Sequence, residues 1–205
     1  MPTARFLRAA GAILAFAVSL VLAQASSTPA GAEVGPVDDR PTFVVRVFPH
    51  DTTAVSFWDS WGARRSGGRR HEGIDILSPR GTEIRAVADG TVTDFGDRRL
   101  SGLYLRIDHG DGWTTTYMHL NNDTLGTDDG AGGVWTAIHP LITIGTDVVA
   151  GQVIGYVGDS GNAEDTQPHT HFEMSYEGTK VNPYPYIASA WERDMRTPDA
   201  DLTPR

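Results

Sequence analysis

The apolar residues of this chain come in short blocks, each stopped by Pro, Gly, Asp or Asn, and that punctuation most narrows what it can fold into. Thr42 to Phe48 alternates, and Glu83 to Ala88, Gly90 to Phe95, Leu103 to Asp108, Trp113 to His119, Gln152 to Val157 and His169 to Tyr176 read as strands. Turn signals separate them at Asp89-Gly90, at His109-Gly110-Asp111-Gly112 and at Gly158-Asp159-Ser160-Gly161. Ala86 to Val92 predicts a hairpin over the two-residue Asp-Gly turn, and Val149 to Gly155 predicts a second short bend between strands. Sustained 3.6-residue periodicity is confined to Tyr186 to Met195, where a short C-terminal helix fits. With 23 glycines and 12 prolines among 205 residues, the expected class is all-β and mainly antiparallel.

The ends have a different character. Residues 1–25 carry Arg5 and Arg8, an uncharged apolar stretch from Ala9 to Ala23 and a small-x-small site at Ala23-Gln24-Ala25, the layout of a signal peptide. Ala30-Gly31-Ala32 is a second cleavage candidate, and an uncleaved membrane anchor is the alternative, although the apolar stretch is short for a span. Either way the remainder is expected outside the cytoplasm, secreted or in the cell envelope. Residues 26–40, rich in Ser, Pro, Gly and acids, predict a disordered linker, followed by a domain over 41–187 and a tail over 188–205.

Charge and composition remove several functions. The 17 basic and 26 acidic side chains leave −9, which opposes binding to nucleic acid or to an anionic membrane surface, and no basic tract reverses that. There is no cysteine, so a transition-metal site has to be built from the seven histidines and from carboxylates.

Two clusters meet that requirement. His169 and His171, at i and i+2 of a strand, project from one face side by side, either as surface histidines or as a metal or catalytic pair. His71 and Asp75, four residues apart, also share a face if their segment is extended. The segment begins His71-Glu72, but its fifth residue is Asp75 and Gly73 weakens a helix, so the helical H-E-x-x-H motif does not apply. His119 closes the alternating strand Trp113 to His119, where it is expected to share a face with Tyr117 and oppose Met118. His50, His109 and His139 have no such companions and receive no role. From Asn121 to Thr146 the composition turns to Gly, Asp and Thr and predicts a long, solvated surface loop. Asp123, Asp128 and Asp129 lack the ordered spacing of a calcium loop.

The run Trp61 to Ile76 containing His71-Glu72-Gly73-Ile74-Asp75, then Tyr117-Met118-His119-Leu120, then Gly158 to Asn162 leading to Pro168-His169-Thr170-His171-Phe172-Glu173, resembles the lysostaphin-type, LytM-like zinc peptidases of family M23. The likeness extends over roughly residues 41–187. It implies a LytM-like β-sandwich or barrel-sandwich, and one zinc ion (Zn2+) held by His71, Asp75 and His171. It also implies His119 and His169 lining the site as unligated catalytic groups, and hydrolysis of peptidoglycan stem or cross-bridge peptides. Two departures stand out: the long acidic loop after His119, and Arg64 to Arg70, which holds only Arg, Ser and Gly where glycyl-glycine-cutting relatives place Tyr or Asn. The competing readings are a noncatalytic relative that binds cell wall or regulates another hydrolase, and a phosphocarrier of similar β architecture. Export and Asp75 oppose the latter.

Overall fold

A computed structural model describes residues 40–51 and 53–196. The expected signal peptide, the linker up to residue 39 and the tail from residue 197 lie outside the described residues. No helix among the described residues is long and apolar enough to cross a membrane.

The strands are β1 (Ile74–Leu77), β2 (Glu83–Arg85), β3 (Gly90–Arg98), β4 (Gly102–Asp108), β5 (Trp113–Met118), β6 (Asp147–Val148), β7 (Val153–Tyr156), β8 (His169–Tyr176) and β9 (Thr179–Val181). Two helices complete the order, α1 (Val134–Ala137) between β5 and β6 and α2 (Tyr184–Arg196) after β9. A large antiparallel sheet runs β1-β8-β5-β4-β3-β6, with β9 also paired to β8, and β2 pairs with β7 in a separate two-stranded sheet. The expected all-β, antiparallel, LytM-like class with one short C-terminal helix holds.

The pleat divides β8 into two functions. Thr170, Phe172 and Met174 are buried, while the alternate positions His169 and His171 are only partly covered. Neighbouring strands match this register, because Asp75 pairs with His171, Leu77 with His169 and Met118 with His171, and directly opposed residues share a face. On the other face Ile74, Ile76, Leu105, Ile107, Tyr117 and Phe172 fill the core, each fully buried apolar side chain contributing roughly 1.5 to 3 kcal/mol. The helix α2 adds Ile187 and Ala190 to this core, and Asn182 Oδ1 accepts from the Tyr184 amide 2.9 Å away at its start.

Several expectations are revised. Ala86 to Val92 is not a hairpin: β2 leaves its sheet for β7 while β3 pairs with β4 and β6, so Asp89-Gly90 joins two sheets. Thr42 to Phe48 forms no strand: the Arg46 amide donates to the Val87 carbonyl at 2.7 Å and the Phe48 amide to Asp194 at 2.9 Å, and the Phe48 ring lies 4.8 Å from that of Trp191 on α2. The segment 121–146 contains α1, and Asp123 is buried, paired with Arg80 rather than with solvent.

Candidate metal and catalytic centre

Three side chains converge where β1 and β8 pair. His71 Nε2 lies 3.0 Å from Asp75 Oδ1 and 2.8 Å from His171 Nδ1, and His171 Nδ1 lies 2.9 Å from Asp75 Oδ1. His71 precedes β1, and its ring is aimed by Nδ1 donating to the Ser60 carbonyl at 2.9 Å. The other ring nitrogen of His171 points to Glu173 Oε1 at 3.2 Å, and Lys180 in turn binds Glu173. Gly73 makes this approach possible, since a Cβ there would strike the Phe172 carbonyl and sit 2.8 Å from His171 Nε2.

Those outer partners decide the electronic character of the inner atoms. A carbonyl and a carboxylate can only accept, so His71 Nδ1 and His171 Nε2 carry the protons and their inner nitrogens present lone pairs. Two imidazole lone pairs and one carboxylate oxygen then meet, an acceptor-only set that a cation or a shared proton has to reconcile. Without a cation a proton shared with the imidazoles takes that part: burial alone would raise the Asp75 pKa, but the hydrogen bonds it then accepts from His171 and His71 hold it well below the usual carboxylate range. For His171 burial opposes the charged form, yet hydrogen bonds to Asp75 and Glu173 outweigh it and raise the pKa. One carboxylate and two imidazoles, with all ligand atoms within 4.8 Å of one another, form a donor set that suits zinc. Arg65 donates to Asp75 Oδ2, leaving Oδ1 for the converging site.

His119 and His169 stand beside these groups, with ring centroids 5.0 Å apart. The strand β5 ends at Met118 and His119 takes φ 60°, a left-handed turn that redirects its ring. His119 therefore does not share a face with Tyr117 as strand alternation predicts: Tyr117 is in the core, its hydroxyl accepting from the Val87 amide at 3.0 Å, while Met118 and His119 line the groove. His119 Nδ1 donates to the Ser160 carbonyl at 2.8 Å, and burial, reinforced by neighbouring His169, lowers its pKa to about 4. His169 Nδ1 donates to the Gln167 carbonyl at 2.8 Å, and its Nε2 is 4.0 Å from Asp75 Oδ1. Burial keeps the His119 ring neutral, so its Nε2 is a free acceptor. The groove over these groups has a volume of about 630 Å³ and is open to solvent along Trp58, Leu100 and Gln167.

All five residues singled out in the sequence thus come together. Missed were their supports. Ser60 and Ser160 act through backbone carbonyls, which leave no mark on sequence, whereas Glu173 stood in the quoted motif without a role. His50, given none, lies buried behind β8 with Nε2 2.9 Å from Thr170 Oγ1 and Nδ1 2.9 Å from Ser78 Oγ. Arg80 was also missed: it binds Asp159 through both carboxylate oxygens, Asp123, and Asp128 at 2.9 Å, tying the segment after β5 to the turn before β8. Asp123, Asp128 and Glu164 approach within 4.8 Å, but the Arg80 guanidinium already answers two of the three.

Known proteins share this arrangement of sequence. The chain is similar to the DD-carboxypeptidase/endopeptidase Mpg of Neisseria meningitidis, 36% identical over 115 residues that make up 56% of this chain and 22% of that protein. It is 32% identical over 127 residues to the murein hydrolase activator EnvC of Escherichia coli, covering 62% of this chain and 26% of that protein. It thus spans less than a third of the length of either relative. The crystal structure of a zinc containing peptidase from Vibrio cholerae superposes with a TM-score of 0.53 at 26% identity, over 68% of this chain and 39% of that one. The profile of peptidase family M23 matches residues 69–183, more than half the chain and the whole interval from His71 to His171, so the chain belongs to peptidase family M23, whose peptidases are zinc enzymes.

Proposed function

We propose that the chain is a zinc metalloendopeptidase that cuts stem or cross-bridge peptides of peptidoglycan, with His71, Asp75 and His171 as the metal ligands and His119 and His169 as the catalytic groups. The observation that carries this is the acceptor-only convergence of His71 Nε2, Asp75 Oδ1 and His171 Nδ1 beside two further imidazoles. When bound, zinc supplies a Lewis acid that polarises the scissile carbonyl and lowers the pKa of water toward about 7.

The chain's own residues do the rest. The Ser60 carbonyl and Glu173 lock both ligand imidazoles in the tautomer whose inner nitrogen is free. His119 and His169, each with Nδ1 committed to a carbonyl, offer Nε2 to accept the proton of the attacking water and return it to the departing amine as the C–N bond breaks. A positioned acid or base of this kind contributes typically about 10²- to 10⁴-fold. The open groove seats an extended peptide, and the net charge of −9 leaves targeting to that groove rather than to attraction by an anionic wall.

The test has two stages. His71→Ala, Asp75→Ala and His171→Ala are expected to lose stoichiometric zinc by elemental analysis, and zinc retained in all three would reject the ligand assignment. His119→Ala and His169→Ala should keep zinc and lose cleavage of purified peptidoglycan, followed as new amino and carboxyl termini by mass spectrometry.

A second reading is supported by the similarity to EnvC, a murein hydrolase activator: a noncatalytic scaffold that stimulates another hydrolase. It requires that the zinc-loaded chain produce no new termini while accelerating a separate wall hydrolase.

A further inference from the structure

The segment just before His71 is a small hairpin whose chemistry the proposed reaction leaves unused. Arg64 and Arg70 form an antiparallel bridge, the Arg65 amide donates to the Arg69 carbonyl at 3.0 Å, and a single 3-10 turn, Ser66–Gly68, makes the tip. Its base is fixed to the centre, because the His71 amide donates to the Ala63 carbonyl and the Gly62 amide to the His71 carbonyl, both at 2.9 Å. The hairpin can therefore move little without moving His71.

Arg65, Arg69 and Arg70 line the groove. Arg65 is committed to Asp75, but Arg69 and Arg70 are not matched by acids. Arg69 reaches only Ser66, at 3.2 and 3.3 Å, and Arg70 Nη1 reaches the Gly62 carbonyl at 3.0 Å. Among the described residues no carboxylate lies within 4.0 Å of either guanidinium, whereas Arg46, Arg80, Arg85 and Arg98 each hold at least one. Glu72 is an acid on the same rim, and Glu173 is already held by Lys180 and His171. In a chain of net charge −9, exposed arginines without acidic partners concentrate positive potential beside the reaction centre. Each guanidinium has five N–H donors in a fork that matches a carboxylate, and most of these donors are free.

We propose that Arg69 and Arg70 form a subsite for a free carboxylate on the bound peptide, so that stem peptides with free carboxyl groups are preferred to amidated stems and to neutral glycine bridges. This rests on the reading of the groove as a peptide site. The hairpin supplies charge and fork geometry, and charge-assisted hydrogen bonds discriminate an anion from its neutral amide by about tenfold.

The probe is a set of soluble muropeptides released by a glycosidase, used either as obtained or after carbodiimide coupling to ammonia, which turns each carboxylate into an amide. Binding is measured calorimetrically on the full zinc-loaded chain carrying His119→Ala, and cleavage on the unmutated chain. Native muropeptides are expected to bind about tenfold tighter than amidated ones. The preference should vanish in R69Q/R70Q and survive in part in R69K/R70K, with zinc content and melting temperature unchanged in both. Equal binding of the two probes, no binding of either, or a preference that persists in R69Q/R70Q overturns the proposal. Preferential binding without any cleavage by the unmutated chain would reject the peptidase reading while keeping the carboxylate subsite.

Discussion

His50 Nε2 lies 2.9 Å from Thr170 Oγ1, on the reverse side of the strand that presents His169 and His171 to the groove. The same imidazole reaches Ser78 Oγ with its other nitrogen, also at 2.9 Å. Both ring nitrogens are therefore engaged with hydroxyls, which can donate to one and accept from the other. One buried side chain thus fixes β8 from behind, between the two histidines that face the groove.

Burial lowers the His50 pKa from 6.5 to about 3, so the folded chain keeps this ring neutral where the unfolded chain protonates it. The unfolded state binds the extra proton, and the stability linked to His50 is complete above about pH 6.5 and lost as pH falls toward 3. The slope contributed approaches about 1.4 kcal/mol per pH unit. Urea unfolding of the unmutated chain and of His50→Asn across this range should show a shallower acid loss in the variant. Parallel curves would contradict the assignment.

Glu173→Ala frees His171 Nε2 from its carboxylate and leaves Lys180 without its acid. Loss of such a support to a ligating histidine costs typically about 10- to 100-fold in metal affinity. Competition with a chromophoric chelator should find zinc held that much more weakly, with the fold retained by circular dichroism.

Arg80→Met strands Asp123 and Asp159, each 1% exposed at the side chain. Removing one partner from a buried ion pair costs about 3 to 5 kcal/mol, because the remaining charge has neither water nor a counterion. Denaturant titration should register that loss, and adding Asp123→Asn and Asp159→Asn to the variant should recover part of it.

Gly73→Ala places a methyl group against the Phe172 carbonyl and the His171 ring. Overpacking of this kind costs roughly 1 to 3 kcal/mol. Thermal unfolding should shift downward, and zinc stoichiometry should fall with it, since the nearest atom able to yield belongs to a residue of the proposed ligand set.

What could be read from sequence follows the range of each interaction. Strand β8 was legible to its end residues because alternation and the turn at Gly158 to Gly161 are local. The Asp89-Gly90 turn was misread for the opposite reason: the choice of β7 over β3 as partner for β2 is made by residues more than 60 positions away, and the turn itself is the same either way. The five groove residues carry side-chain chemistry and spacing, so they could be found. The carbonyls of Ser60 and Ser160 aim two of those rings, His71 and His119, without side-chain chemistry, and His50 is informative only once Thr170 is known to face inward. The φ of 60° at His119 is likewise invisible in an alternating pattern that continues through Tyr117 and Met118.

The pairing of Asp75 directly opposite His171 joins positions 96 apart in the chain. A contact of that separation bears a large loop-closure entropy and forms only after the intervening strands have collapsed. The centre therefore has no local precursor: a nascent chain ending anywhere before residue 171 holds His71 and Asp75 alone, and two donors grip a cation poorly. With His171 as the proposed third ligand, time-resolved uptake of zinc during refolding follows the pairing of β8 with β1 rather than the start of sheet formation.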